Sequence, residues 1–169
     1  MRWTKAEIQA ARSQNLTAEE DVVIDSSVFE GFSLINSVRD VHAAATGYLD
    51  EHDDLFYAVL HVTGTMLLPD AITGEEIEHP FETESEETYS FHKTDDENIR
   101  DVTDDVIELM PAIIDAIIME VPLQVTNASE DDYPHGDGWA VITEEAYLRD
   151  RESRIDPRLA KLMEYKEEE

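Results

Sequence analysis

The alternation of side chains between residues 55 and 68 constrains the fold more than any other feature of the sequence. One set of alternate positions is apolar or glycine and consists of Phe56, Ala58, Leu60, Val62, Gly64 and Met66. The opposite set includes Tyr57, His61, Thr63 and Thr65. Because successive side chains of a strand point to opposite faces, this pattern predicts a long β-strand with one face in the core.

Two further strands are predicted on either side of this one. The run from Ser37 to Leu49 has strand composition, and the acidic turn over 50–54 predicts that it forms a hairpin with the first strand. After a loop over 69–76, Ile77 and Phe81 share one face of another strand, and four glutamates share the other. These are Glu78, Glu82, Glu84 and Glu86, called here the acidic strand face. Their alternation predicts a solvent-exposed surface and a candidate site for a protein partner.

Two helices are predicted outside these strands. Thr4 and Glu7 have the spacing of a capping box, which predicts a helix from Thr4 to Ser13. The nearly all-apolar run from Ala112 to Glu120 predicts a buried helix over the sheet. The β-branched segment from Asp21 to Asp25 is interpreted as an early strand.

The segments after residue 91, apart from the apolar helix, have weaker patterns. Loops are predicted over 92–101 and 127–138, followed by a short strand from Trp139 to Ile142 in which Trp139 packs in the core beside Val141. Thr143 has the position of a helix cap for a segment ending at Arg151.

The order of these elements predicts one α+β domain with a mainly antiparallel sheet, one buried apolar helix and a C-terminal helical tail. The domain is assigned to residues 1–150 and the charged tail to 151–169. Within the tail, Asp156 and Pro157 predict the start of a helix from Arg158 to about Tyr165.

The charge of the chain bears on its partners. Acidic residues number 41 and basic residues 12, which gives a formal net charge of −29. Most of this charge lies in residues 51–150, where the basic side chains are Lys93, Arg100 and Arg149. Such a region repels a DNA or RNA backbone and favours a basic protein partner. The alternative is that the acidity serves only solubility.

Cellular location is predicted from what the sequence lacks. The start of the chain has no uninterrupted apolar stretch of the kind found in secretory signals, and the most apolar run, Pro111 to Leu123, is too short to cross a bilayer. A cytoplasmic protein without membrane insertion is therefore expected.

Signatures of catalysis and of cofactor or metal binding are also missing. There is no cysteine, no phosphate-binding glycine loop and no nucleophile elbow. His61 and His79 are predicted to face each other across neighbouring strands, but two imidazoles do not make a metal site. No catalytic residue, cofactor or metal ligand is assigned. A metal-dependent enzyme using clustered carboxylates such as Asp104, Asp105 and Glu108 remains a remote alternative.

Basic residues concentrate in the tail. Arg151, Arg154, Arg158 and Lys161 recur at a spacing that aligns them on one helix face, unless Pro157 breaks the helix. They form a candidate contact for RNA or another anion. The alternative is pairing with acidic residues of the same helix, which are Glu152, Asp156 and Glu164.

Four stretches resemble the YceD-like family, the large ribosomal RNA subunit accumulation proteins of bacteria and plastids. They are the strand–loop–strand segment from Val62 to Phe81, the helix from Met110 to Leu123, the segment from Gly138 to Tyr147, and the ending from Ile155 to Leu162, which is similar to the Gram-positive, lactobacillus-like branch. The positions that match family motifs are Gly64, Pro69, Glu75, Pro111, Pro122, Trp139, Asp156 and Pro157.

One loop departs from the family pattern. Many members carry Cys-x-x-Cys followed by Leu-Glu after the Gly-Thr strand. Here Asp70 and Thr73 stand at the cysteine positions, Gly74 replaces the leucine, and Glu75 is kept. Any metal or redox role of this loop is therefore lost in this chain, and the fold does not require one.

The resemblance implies a non-enzymatic ribosome biogenesis factor that supports accumulation of large-subunit (23S) ribosomal RNA. The acidity suggests a mechanism in which the acidic strand face binds a basic ribosomal protein or a precursor of the large subunit until ribosomal RNA displaces it. The alternative is a direct RNA-binding assembly factor that uses the arginines of the tail.

Overall fold

The computed structural model describes residues 1–11 and 14–153, and its main feature is a five-stranded sheet. The strands are β1 (Arg2–Thr4), β2 (Leu16–Val22), β3 (Ser37–Asp50), β4 (Leu55–Pro69), β5 (Glu76–Ser90), β6 (Ile99–Asp101), β7 (Val106–Glu108), β8 (His135–Gly136) and β9 (Trp139–Ala140). The α-helices are α1 (Lys5–Ala11), α2 (Met110–Glu120) and α3 (Glu144–Ser153), and 3₁₀ helices span Ser26–Phe29 and Glu130–Asp132.

The large sheet has the order β2-β3-β4-β5-β6, in which only β6 pairs in parallel. The β3–β4 pairing confirms the predicted hairpin, and β5 returns alongside β4 over its whole length. Short strands β1 and β7 pair separately, as do β8 and β9. This architecture confirms the predicted α+β class with a mainly antiparallel sheet.

The pleat of β4 sorts its side chains as the sequence predicts. Phe56, Leu60, Val62 and Met66 are fully buried. They belong to one hydrophobic core with residues of α1, α2 and the first 3₁₀ helix, Ser26–Phe29. On β5, the same face carries Ile77, Phe81 and Tyr89, which are also buried. The sheet therefore has one core face and one opposite face, called here the outer face.

Helix α2 lies across the core face but is not buried all round. Ala112, Ile113, Ala116 and Ile117 are buried, whereas Met119 is 86% exposed. The prediction of a buried helix is therefore correct for one side only, because a single sheet can cover only one face of a helix. Pro111 lies in the first turn, where its missing N–H is not needed.

A cation joins this helix to the sheet. The Arg100 guanidinium in β6 donates from Nε to Glu87 at 2.6 Å and from Nη2 to Asp115 of α2 at 2.7 Å. These hydrogen bonds and the two negative charges raise the pKa of Arg100 against the opposing effect of burial. Strand β6 pairs with residues 88–90 of β5, so the predicted loop over 92–101 is wrong for its last three residues.

The N-terminal helix confirms the predicted capping box. The backbone N–H of Glu7 donates to Thr4 Oγ1 at 3.3 Å, and the Glu7 carboxylate accepts from the backbone N–H of Thr4 at 2.8 Å. Hydrogen bonds from Thr4 lower the pKa of Glu7. Thr4 itself ends β1, so the helix begins at Lys5, and Ser13 lies outside the described residues.

The predicted strand from Asp21 to Asp25 is wrong in position. The strand spans Leu16–Val22 and pairs with β3, whereas Val23 is 95% exposed and Asp25 caps the following 3₁₀ helix through a hydrogen bond from the Ser27 N–H at 2.9 Å. The β-branched run was misleading because sheet pairing, not local composition, sets where an edge strand ends.

The predicted core position of Trp139 is also wrong. Its side chain is 57% exposed, and only Trp139 and Ala140 of the predicted strand pair, with β8. The indole lies over Gly136, where an added Cβ would stand 2.5 Å from Nε1. Trp139 therefore closes a small hairpin rather than the main core.

Helix α3 begins as predicted after Thr143, whose Oγ1 accepts from the Ala146 N–H at 3.1 Å. The helix continues past residue 150, and the division at 150 stays a prediction. Asp156, Pro157 and the predicted last helix lie outside the described residues. No helix in the described part of the chain is both long and apolar enough to span a membrane.

Close packing at Gly47 provides a test of the sheet. A Cβ at this position would lie 2.5 Å from Cζ of the fully buried Phe56 and 2.9 Å from the backbone oxygen of Tyr57. The Phe56 ring is itself held edge-on by Trp3, with centroids 5.3 Å apart.

We predict that Gly47→Ala lowers the free energy of unfolding by about 1–3 kcal/mol, because the core must shift to accept one methyl group. Urea denaturation measures this change. The control is Thr46→Val on the outer face of the same strand, which is expected to stay within about 0.5 kcal/mol of wild type. Equal effects of the two substitutions would contradict the packing described here.

Candidate functional site on the outer face of the sheet

The outer face is a four-stranded surface that is open to solvent. Apart from Ser90 at the end of β5, every side chain on this face of β2 to β5 is exposed or half-buried. Antiparallel sheets commonly leave one face in water, where polar side chains alternate with the core residues. The long strands therefore present a continuous surface on which side chains from four strands can act together.

The acidic strand face lies on β5 at one side of this surface. Glu78, Glu82, Glu84 and Glu86 are all exposed, which confirms the predicted exposure. In the register they stand opposite Leu67, Thr63, His61 and Val59 of β4. Alternate residues of a strand are roughly 6.7 Å apart, so the carboxylates form a row rather than a cluster.

Two of these glutamates have polar partners on neighbouring strands. Arg39 of β3 reaches across β4 and donates from Nη2 to Glu78 Oε2. The His61 ring contacts Glu82 Oε1 through Nε2 at 2.8 Å. Glu84 and Glu86 make no hydrogen bond or ion pair with any residue that the structure describes. The unbalanced charge of the row is therefore concentrated at its C-terminal half.

A second acidic pair lies on edge strand β2, at the other side of the outer face. Glu19 and Asp21 flank His42 of β3, whose Nδ1 is 2.8 Å from Asp21 Oδ1 and whose Nε2 is 3.1 Å from Glu19 Oε1. Two carboxylate acceptors require that both ring nitrogens carry protons. The hydrogen bond to Asp21 raises the pKa of His42, partial desolvation opposes this, and Glu19 adds to the increase.

A β-bulge brings both cationic side chains of β3 to the same face. The register between β3 and β4 shifts between Arg39 and His42, and Asp40 has a φ of 52°. Without an extra residue, positions 39 and 42 would point to opposite faces. Only the tolerance of aspartate for positive φ signals the bulge in the sequence.

An aromatic patch lies on β3 and β4 at the end of the outer face next to Glu86, where Tyr57 stands opposite Tyr48 and Thr88. Tyr48 and Tyr57 stack with ring centroids 5.5 Å apart and planes at 28°. Tyr48 is 47% exposed, and the neighbouring Val59 is 40% exposed beside Glu86. Tyrosine is enriched among residues that contribute most to protein–protein binding. The outer face thus combines negative charge with accessible aromatic surface.

The other predicted site residues are distributed over the fold. Arg151 is exposed on α3, and Arg154, Arg158 and Lys161 lie outside the described residues. The predicted pairing of His61 with His79 is wrong, because His61 stands opposite Glu84 on the outer face and His79 stands opposite Met66 on the core face. In the described part of the chain, no three His, Asp or Glu side chains lie close enough to hold a metal ion.

Four of the positions that match family motifs lie in close packing, at the ends of secondary-structure elements or in a loop. Gly64 lies under the Phe81 ring, where an added Cβ would be 2.9 Å from Cε1. Pro69 ends β4, and Pro122 follows the end of α2. The backbone oxygen of Glu75 accepts from the Asp70 N–H at 2.7 Å, which closes the loop between β4 and β5.

Asp70 forms a buried link that the sequence did not predict. It is 6% exposed and accepts hydrogen bonds from the backbone N–H groups of Ile72 at 2.8 Å, Thr73 at 3.1 Å and Asn127 at 2.8 Å, and from Thr126 Oγ1 at 2.9 Å. Desolvation would raise the pKa of Asp70, but these donors lower it to about 2. A carboxylate therefore ties the loop to the segment after α2.

Known proteins show the following similarities. A sequence profile of the family described as "Large ribosomal RNA subunit accumulation protein YceD" matches residues 58–166. A Bacillus subtilis (strain 168) protein with the name "Uncharacterized protein YlbN" is 29% identical over 170 residues, which cover 96% of this chain and 94% of the relative. No solved structure matches the chain. The segment matched by the profile includes the acidic strand face, Asp70 and α2.

We predict that His42→Gln destabilises the protein most at low pH. Since the folded-state pKa of His42 is raised, its stabilising effect is complete below its ordinary value of about 6.5 and is lost as the pH rises through the raised pKa. Melting temperatures of wild type and variant, compared from about pH 6 to pH 9, should converge at the alkaline end. His52→Gln in the β3–β4 turn is the control, and no convergence relative to that control would contradict the prediction.

We predict that Asp70→Asn lowers the urea midpoint, because an amide cannot accept all four hydrogen bonds with its NH₂ group in the site of one oxygen. Asp70 has a lowered pKa, so its contribution is present above the ordinary value of 3.8 and is lost as the pH falls toward about 2. The difference between the two proteins should therefore be constant near neutral pH and shrink below pH 3.8. A constant difference down to pH about 2 would contradict this assignment.

Proposed function

This chain belongs to the YceD family of large ribosomal RNA subunit accumulation proteins, and from that premise we propose that it is a non-enzymatic ribosome biogenesis factor that binds a basic protein on its outer face. The partner is a basic ribosomal protein or an assembly intermediate of the large subunit. The observation that carries the proposal is the open face with two acidic rows, of which Glu84 and Glu86 are unpaired in the described chain.

The charge of this face supports a basic partner. Glu84 and Glu86 are exposed on β5, and Glu19 and Asp21 are exposed on β2. Large-subunit proteins must bind ribosomal RNA, whose phosphates are contacted mainly by Lys and Arg. The same cationic side chains would be attracted to the acidic rows, and the long-range field of a strongly negative chain would speed their encounter.

Ribosomal RNA supplies a mechanism of release. RNA carries a higher density of negative charge than the outer face, and its binding to a basic protein gains entropy from displaced counterions. The chain would hold the basic partner until RNA competes for the same cationic side chains. In this mechanism the chain promotes accumulation of the RNA without contacting it.

Accessible aromatic surface supports specific binding in addition to charge. Tyr48 and Tyr57 form a stacked pair at the end of the outer face that carries Glu86, with Val59 beside them. Exposed ion pairs alone contribute little affinity, whereas aromatic anchors contribute much of the energy of many interfaces. The proposed partner therefore carries apolar contacts between its cationic side chains.

The alternative is direct RNA binding through Arg151 and the tail residues Arg154, Arg158 and Lys161. Arg151 is exposed at the C-terminal end of α3. Under this alternative, recovery of RNA depends on the tail and not on the outer face.

A charge reversal tests the proposal. The tagged full chain is used to recover partners from lysate of its own organism, with and without nuclease, as wild type and as the double variant Glu84→Lys, Glu86→Lys. We predict that basic large-subunit proteins are recovered after nuclease treatment and that the double variant lowers their recovery about tenfold or more, because two attractions become repulsions. Raising the salt concentration should weaken wild-type recovery in the same direction.

The matched control is Asp95→Lys, Glu97→Lys in the β5–β6 connection, where both side chains are exposed. It changes the net charge by the same amount and should keep near wild-type recovery. Equal losses of recovery for the two double variants would show that binding depends only on the net charge of the protein. This result would contradict the proposed face. Recovery of RNA that is lost with nuclease and with Arg151→Glu would favour the alternative.

A further inference from the structure

We propose that an apolar groove beside the end of α2 is a second docking site, which takes a basic amphipathic segment of a partner protein. The groove has a volume of about 450 Å³ and lies between Gly31–Ile35 and the segment from Ile118 to Leu123. It is separate from the outer face, because α2 lies on the core face of the sheet. The inference rests on the proposed function, since it names a further surface for the same class of partner.

Exposed apolar side chains line the groove from both sides. Met119 and Leu123 are 86% and 87% exposed, and Phe32 and Leu34 across from them are 46% and 40% exposed. Leu34 and Leu123 also line an adjoining pocket of about 160 Å³ that extends to Pro69 and Asp70. Apolar surface that continues over two adjoining pockets is typical of an interaction site, unlike single exposed residues.

The walls of the groove are anchored to the fold. On one side, Phe29 and Ile35 are buried at the two ends of the segment that carries Phe32 and Leu34. On the other side, the Ala71 N–H donates to the backbone oxygen of Val125 at 2.9 Å. Two of the four hydrogen bonds to Asp70 hold Thr126 and Asn127, which directly follow Val125. A preformed groove loses little conformational entropy when a partner enters.

The charge around the groove identifies the occupant. Glu30 and Glu120 are exposed next to its two walls, and no Lys or Arg is among the residues that line it. A second copy of this chain would bring another net charge of −29 to the same place and be repelled. A segment with apolar side chains on one side can fill the groove, as in helix-in-groove recognition. Lys or Arg on its other side can pair with the glutamates beside the walls.

Two synthetic helical peptides of Lys, Ala and Leu test the inference by fluorescence anisotropy with the full chain. One has leucines at i, i+3, i+4 and i+7, and the other has the same composition with the leucines distributed around the helix. At about 0.15 M salt we expect the amphipathic peptide to bind the wild type about tenfold or more tightly than its isomer. Equal binding of both peptides, or of neither, would overturn the proposal.

The variant Met119→Gln, Leu123→Gln should abolish this preference without changing the fold or the net charge, since both side chains are already exposed. The control Val23→Gln replaces a 95% exposed apolar residue outside the groove and should keep the preference. Glu84→Lys, Glu86→Lys should weaken both peptides alike and leave their ratio unchanged. If the proposed function is wrong, the double lysine variant binds both peptides as tightly as the wild type does. If the groove is not the docking site, the double glutamine variant keeps the preference.

Two results would assign another occupant and overturn the proposal. If the preference emerges only after Leu159→Gln and Leu162→Gln in the full chain, the groove is filled by the chain's own C-terminal segment. If sedimentation shows a dimer that Met119→Gln, Leu123→Gln dissociates, the groove is filled by a second copy.

Discussion

The register of β4 between β3 and β5 is the constraint on which the rest of the structure depends. It places Phe56, Leu60 and Met66 in the hydrophobic core and at the same time places the acidic strand face of β5 in water. A slip by one residue would exchange these two sets, because side chains alternate with a period of two. The hydrophobic effect that forms the core therefore also fixes the position of the acidic rows. Core and candidate binding face are consequences of one pairing.

The sequence predicted the structure best where a long periodic pattern or a fixed local spacing determined it. Local periodicity predicted the long strands β4 and β5 and the exposure of Glu82 and Glu84. Local spacing predicted the capping box at Thr4. The failures occurred where distant residues decide. The start of β2 depends on pairing with β3, and the burial of Trp139 depends on which segment packs against it. The link made by Asp70 joins residues more than fifty positions apart, and a local pattern cannot indicate such a contact.

Asp70 shows how a buried carboxylate can join two segments of a fold. The resemblance to the YceD-like family implies a cysteine at this position, whereas here the carboxylate accepts hydrogen bonds from the β4–β5 loop and from the segment after α2. The hydrogen bonds remove the need for a countercharge, because four donors stabilise the anion in a buried site. The same link orders the wall that presents Leu123. The Asp70 carboxylate thus supports the geometry of a neighbouring surface.

The free edge of β5 affects the tendency of the protein to aggregate. Within residues 1–11 and 14–153, β6 alone pairs with this side of β5, at residues 88–90, so the backbone from Glu76 to Glu87 has an edge there that another chain could extend by strand addition. Pro80 lacks a donor, and the glutamates repel a second copy, so both features guard this edge against self-association. Near the isoelectric point of about 4.2 the repulsion disappears while the edge remains. In acidified solution, this strongly acidic strand therefore becomes a segment prone to aggregation.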